Sequence, residues 1–178
     1  MKQGYAFQKF EKEKMARALG KDLPISKKHA AMVCNAIRGK SVERARTILN
    51  ESIELKKAIP FTKYNRDKGH KSKIGPGRYV PKTCSEILKV LNSAESNGHQ
   101  KNLGSMHVVH ICVQNASKPW HFGRWRRRQM KRSHIEVVVA EKSDKKTAAK
   151  EKTEEKKEAK NVEKIEKAEK TGEAKESR

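Results

Sequence analysis

Between positions 26 and 56, apolar residues recur at steps of three and four, the spacing of helices that bury one face. Ser26 precedes Ala30, Val33, Cys34 and Ile37, and Gly39 follows, which predicts a short amphipathic helix capped by serine and stopped by glycine. Ser41 then caps a second helix, with Val42, Ala45, Ile48, Leu49, Ser52 and Ile53 on one face and Glu43, Arg44, Arg46 and Lys56 elsewhere, closed by Pro60. The short link around Gly39 makes the two helices neighbours, as a helix-turn-helix or a helical hairpin.

Residues 60–81 read as a loop, because Pro60, Gly69, Gly75, Pro76, Gly77 and Pro81 interrupt any period. A third helix is predicted from Ile87, Leu88, Leu91 and Ala94, ending near Gly98 or a few residues later. Its start has two readings: a capping pattern of Thr83 with Glu86, or Pro81 in the first turn. β-Branched residues dominate 106–113 and 135–139, which predicts two strands of one hairpin joined through a connection, 115–133, too long for a tight turn. At the start of the chain, Tyr5, Ala6 and Phe7 alternate as a short edge strand would.

Composition then narrows what such a chain meets. The 178 residues suit one domain and a tail, and with 34% hydrophobic residues the core is small. The formal net charge is +22, and a field of that sign attracts polyanions, so nucleic acid is the expected partner. Residues 141–178 hold 13 Lys+Arg against 11 Asp+Glu, leaving 30 against 10 for residues 1–140, so nearly all the excess lies in the part expected to fold. The Lys/Glu/Ala tail, 142–178, has only Val162 and Ile165 as larger apolar residues and is expected to be disordered or transiently helical.

No apolar run approaches the length of a membrane span, and the N-terminus lacks the apolar stretch of a signal peptide, so an intracellular location is expected. Cys34, Cys84 and Cys112 are odd in number and widely spaced, which argues for reduced thiols and against a disulfide framework or a cysteine zinc site. Enzyme signatures are weak. Gly69-His70-Lys71-Ser72 lacks the preceding spacing of a phosphate-binding loop, and Gly75-Pro76-Gly77 has turn chemistry. His107 and His110, three apart on a regular strand, point to opposite faces, and His29 is five residues from Cys34. No cofactor, metal or small-molecule substrate is expected.

The decisive stretch is Lys118-Pro119-Trp120-His121-Phe122-Gly123-Arg124-Trp125-Arg126-Arg127-Arg128, where cations alternate with flat rings and no acid intervenes. Arginine forks bind phosphate oxygens in pairs, and Trp120, Phe122 and Trp125 suit stacking on unpaired bases, a combination fitted to irregular RNA more than to a regular duplex. Pro119 and Gly123 interrupt the helix that a membrane-surface reading requires. A free RNA chaperone and a DNA reader using residues 26–53 remain as rivals.

A set of short motifs then lines up in order: Ile37-Arg38-Gly39-Lys40, Pro60-Phe61-Thr62-Lys63-Tyr64-Asn65, Gly69-His70-Lys71-Ser72-Lys73, Gly77-Arg78-Tyr79, Ala94-Glu95-Ser96-Asn97 and the terminal hairpin. In these the chain, over about residues 5–141, resembles the universal large-subunit ribosomal protein twenty-two family in its archaeal form. The resemblance implies an α+β fold, with three helices packed on a small antiparallel sheet and a long protruding β-hairpin. Residues 1–141 would be the ribosomal RNA-binding domain, with a globular part over 1–105 and the hairpin over 106–140.

The resemblance further implies a structural, non-enzymatic constituent of the large ribosomal subunit in the cytoplasm, aiding its assembly. Its partners would be large-subunit ribosomal RNA, neighbouring ribosomal proteins and the nascent chain at the exit-tunnel wall. RNA contacts are expected from Lys27, Lys28, Arg38 and Lys40, and from Lys63, Arg66, Lys68, His70, Lys71, Lys73 and Arg78. Further contacts are expected from Lys118, Trp120, His121, Arg124, Trp125, Arg126, Arg127, Arg128, Lys131 and Arg132. Lys118, Pro119, Trp120, His121, Phe122, Gly123 and Arg124 would form the tip that faces the tunnel. Two departures stand out: Val80 occupies a position where the family usually has proline, with Pro81 next, and the tail exceeds the usual end.

Overall fold

The computed structural model describes residues 4–124 and 127–141; the tail expected over 142–178 lies outside them, as do Trp125 and Arg126. Its elements are β1 (Met15–Leu23), α1 (Lys27–Ile37), α2 (Val42–Ile53), β2 (Ile59–Pro60), β3 (His70–Lys71), β4 (Gly75–Arg78), α3 (Pro81–His99), β5 (Met106–Asn115) and β6 (Ser133–Glu141). This is the expected α+β arrangement of three helices on small antiparallel sheets. Among the described residues no helix is long and apolar enough to cross a membrane.

All three helices form where the apolar period places them, burying Ala30, Val33, Cys34 and Ile37 on α1, Ala45, Ile48 and Leu49 on α2, and Ile87, Leu91 and Ala94 on α3. Gly39, at φ 72°, supplies the left-handed residue that turns α1 into α2. The Ser41 hydroxyl caps α2 by accepting the Arg44 N–H, and Pro81, at the first position of α3, settles its start in favour of the proline reading. Pro60 does not stop α2. That helix ends at Ile53 with Leu55 at φ 61°, and Pro60 pairs with Gly77 in a second small sheet, β2-β4-β3, that the turn-rich 60–81 segment concealed.

The main sheet has the order β1-β6-β5, antiparallel throughout. β1 was not legible as a strand, because its inward residues are Ala16 and Ala18, which carry little strand preference. The expected edge strand at Tyr5, Ala6 and Phe7 is absent; that segment lies across the sheet instead. Cross-strand partners share a face. Ala16↔Val139 and Ala18↔Val137 belong to the face that joins the hydrophobic core, with α3 packed on β1 and β6 and α1 on β5.

Arg17↔Val138 and Leu19↔Glu136 therefore belong to the opposite face, and the N-terminal segment covers it. The Glu136 carboxylate accepts the Ala6 and Phe7 N–H groups at 2.8 and 3.2 Å, while the Arg17 guanidinium lies 4.0 Å from the Tyr5 ring centre and 4.5 Å from that of Phe10. Both faces of β6 are thereby closed, and every residue from Ser133 to Ala140 is buried. The strands of the expected hairpin are thus also the centre of the domain: Val108, Ile111, Ile135, Val137 and Val139 are core, and the chain leaves the sheet only beyond Asn115 and Ser133.

A bulge between Val108 and His110 resets β5. Val108 and Ile111, three apart, both reach the core, and His107 and His110 pair with Ala140 and Val138, two apart on β6. The two histidines consequently share one face, which corrects the alternation assumed for a regular strand.

Candidate nucleic-acid interface

Beyond the sheet the two chain segments stay together as an arm. Ala116 donates to Arg132 O, Met130 to Pro119 O at 2.9 Å and His121 to Arg128 O at 2.7 Å, and Trp120 bridges Gln129. Gly123, at φ 83°, turns the tip. Trp120 is 62% exposed and Phe122 78%, and the His121 and Phe122 rings stack with centres 4.7 Å apart. Large rings left in water beside Lys118, Arg124, Arg127, Arg128 and Lys131 contribute nothing to the core, and their faces are open to stacking on a flat surface.

At the root of the arm, a groove of about 300 Å³ is lined by Ser26, Lys27, Lys28, Lys118, Lys131 and Arg132 together with Asn115. It opens at the N-terminus of α1, whose first turn holds no acid and whose Ser26 side chain makes no capping bond. The N-terminal end of α1 and five cations therefore border one hollow, an arrangement that favours a phosphate oxygen. The guanidinium of Arg132 is held in place by the Asp22 carbonyl, 3.2 Å away.

A second groove, about 250 Å³, adjoins it through Ser26 and brings in His29, Arg78 and Lys82 at the start of α3. A third, about 280 Å³, runs along α1 and β5 and unites Lys27, Arg38 and Lys63. Residues expected to bind RNA from distant parts of the sequence are thus gathered around α1. His29 registers their combined field: burial, then Arg78, Lys131 and Lys68, hold its pKa below the ordinary 6.5.

The other expected residues are distributed differently. Arg66, His70, Lys71 and Lys73 are exposed on the β2-β4-β3 side, where Arg66 bonds Thr62 O and Lys71 lies 5.5 Å from the Tyr79 ring centre. Lys40 is exposed beside β5, and its carbonyl accepts from Val108 N. Arg38 has an internal task as well, donating to Ile111 O at 2.9 Å. Lys82 was not singled out from sequence; its place one residue after the Pro81 helix start, next to Arg78, was the available signal. Burial pushes the Cys34 thiol up to about 12, and raises Cys84 and Cys112 also, so with nothing bound these cysteines rest as protonated thiols.

A three-helix α+β domain with a cationic, aromatic-tipped arm defines a class of basic protein shaped for a polyanion. The family described as Ribosomal protein L22p/L17e matches residues 18–140, and the chain belongs to that family. Similar relatives, each named large ribosomal subunit protein uL22, come from archaea. That of Archaeoglobus fulgidus is 36% identical over 145 residues, covering 76% of this chain and 94% of the relative. That of Methanothrix thermoacetophila is 40% identical over 139 residues, covering 72% and 91%.

Proposed function

We propose that this chain is a structural constituent of the large ribosomal subunit in the cytoplasm, binding large-subunit ribosomal RNA through the grooves around α1 and through the arm. The exposure of Trp120 and Phe122 at the end of a cationic two-stranded arm carries the reading, because stacking on unpaired bases is the chemistry that uses such rings. Lys27, Lys28, Lys118, Lys131 and Arg132 hold phosphates at the arm's root, and Arg38, Lys63, Lys68, Arg78 and Lys82 extend that track. Lys40, Arg66, His70, Lys71 and Lys73 form its outlying contacts.

Residues 1–141 act as the RNA-binding unit, and the distal arm, from Lys118 to Arg124 with the arginines beyond, penetrates between RNA segments. Its tip lines the nascent-chain tunnel, while the helical part borders neighbouring ribosomal proteins and aids subunit assembly. A DNA reader built on α1 and α2 is disfavoured by Arg46, which is tied to Glu95 of α3 rather than presented to a groove.

Sucrose-gradient sedimentation at low and high salt, with ultraviolet cross-linking of the large-subunit fraction, tests the proposal. Salt-resistant, one-to-one presence with cross-links at the arm and the α1 grooves is expected. Recovery only in light fractions would favour a free chaperone instead.

A further inference from the structure

We infer that His110, Cys112 and Glu136, on the sheet face under the N-terminal segment, form a binding site for one divalent transition-metal ion of the zinc class. Cys112 pairs directly with Glu136 across the sheet, and His110, two residues earlier, stands on the same face after the bulge. One imidazole nitrogen, one sulfur and one carboxylate oxygen lie within 4.8 Å of one another. Nitrogen, thiolate and carboxylate are the donor types zinc takes, and three protein donors leave a fourth position for water.

Two further observations point to a cation. Glu136 is 1% exposed, and among the described residues no lysine or arginine pairs with it, although the chain carries a net charge of +22. The Nε2 atom of His110 is buried and has no hydrogen-bond partner. Phe7, with its ring centre 5.2 Å from that of His110, limits the imidazole's movement.

The carboxylate has capacity to spare. Its oxygens accept one N–H each from Ala6 and Phe7, and about four acceptor positions are present in all. The Cys112 thiol lies 3.7 Å from Glu136 Oε2. On loading, the thiol proton leaves to solvent and the ion takes its place between sulfur and carboxylate, with no change of oxidation state.

Cobalt(II) added to the untagged, reduced full chain is the first probe. One equivalent is expected to give tetrahedral ligand-field absorption with a thiolate-to-cobalt charge-transfer band, both removed by zinc(II). Cys112→Ser abolishes the charge-transfer band and Cys84→Ser keeps it, while His110→Gln weakens binding by at least the ~10–100-fold that even outer-shell changes cost metal sites. Absence of the band, or its persistence in Cys112→Ser, overturns the site. Because Cys112→Ser also disturbs the buried Glu136, alkylation of the unmutated chain is the second measurement. Zinc is expected to slow iodoacetamide modification of Cys112, mapped by peptide mass, and equal rates with and without zinc overturn the proposal.

Discussion

On the α2–α3 side of the domain, cations are answered from within: Arg46 pairs with Glu95, Lys89 with Glu86 and Lys57 with Glu51. On the side of α1 and the arm, Lys27, Lys28, Lys63, Arg78, Lys118 and Lys131 meet no carboxylate within ion-pair distance among the described residues. Net charge alone would have made the whole surface equivalent. The difference lies in where the few acids fall, and it turns an attraction for polyanions into an orientation toward them.

Removing the arm is the strongest way to break that contrast. Replacing 117–131 by a short turn deletes Lys118, Arg124, Arg126, Arg127, Arg128 and Lys131, and the slope of log affinity for a large-subunit RNA fragment against log salt should fall by about 4. The melting temperature should hold, because the core strands end at Asn115 and Ser133; outright unfolding of the shortened chain would make the arm part of the core. At the root, the triple change Lys27→Ala, Lys28→Ala, Lys131→Ala should lower the slope by about 2 to 3, against almost nothing for Lys56→Ala with Lys57→Ala. Equal losses from the two sets would erase the distinction between the sides.

A stability change should leave binding intact. A methyl group on Gly20 meets Val90 Cγ2 at 2.6 Å and Leu23 Cδ1 at 2.9 Å, where α3 crosses β1, so Gly20→Ala should cost about 1–3 kcal/mol in urea unfolding. His29 supplies a finer test. Its pKa is lowered in the free domain by burial and by Arg78, Lys131 and Lys68, so protonation favours the unfolded chain, and stability falls as pH drops through 6.5 toward the lowered value. RNA phosphates cancel the cationic part of that shift, so binding takes up a proton and affinity should rise as pH falls through this window. Fluorescence anisotropy across it should show the trend in the unmutated chain and lose it in His29→Gln. Smallest of all, Arg46→Ala should cost about 0.2–1 kcal/mol of stability and leave RNA affinity unchanged, since the Arg46–Glu95 pair is partly exposed.

How far the sequence could be read depends on what kind of signal each element carries. The helices declared themselves because Val33 and Ile37, Ala45 and Leu49, and Ile87 and Leu91 each recur at a step of four. β1 did not, since alanines that fit beneath α3 advertise neither strand nor core. The run Ile135 to Val139 was legible as a strand, but Glu136 within it marks one face as polar, and the burial of that face under the N-terminal segment depends on tertiary packing. Candidate cations could be named from sequence, but their gathering around α1 depends on tertiary packing: Arg78 and Lys131 act on His29 from different parts of the chain. The shared face of His107 and His110 depends on a bulge, and one extra residue in a strand has no compositional mark.

The central strand of the sheet is also the last one to be made. β1 pairs with β6 through Met15↔Ala140 and Ala18↔Val137, so a strand near the beginning waits for a partner more than a hundred residues later. Contacts of such long sequence separation carry the loop-closure entropy of the intervening chain and slow the search for the native state. During synthesis, therefore, the helices and the whole cationic arm precede the strand that completes the core, and the arm is open to solvent before the domain that bears it has closed.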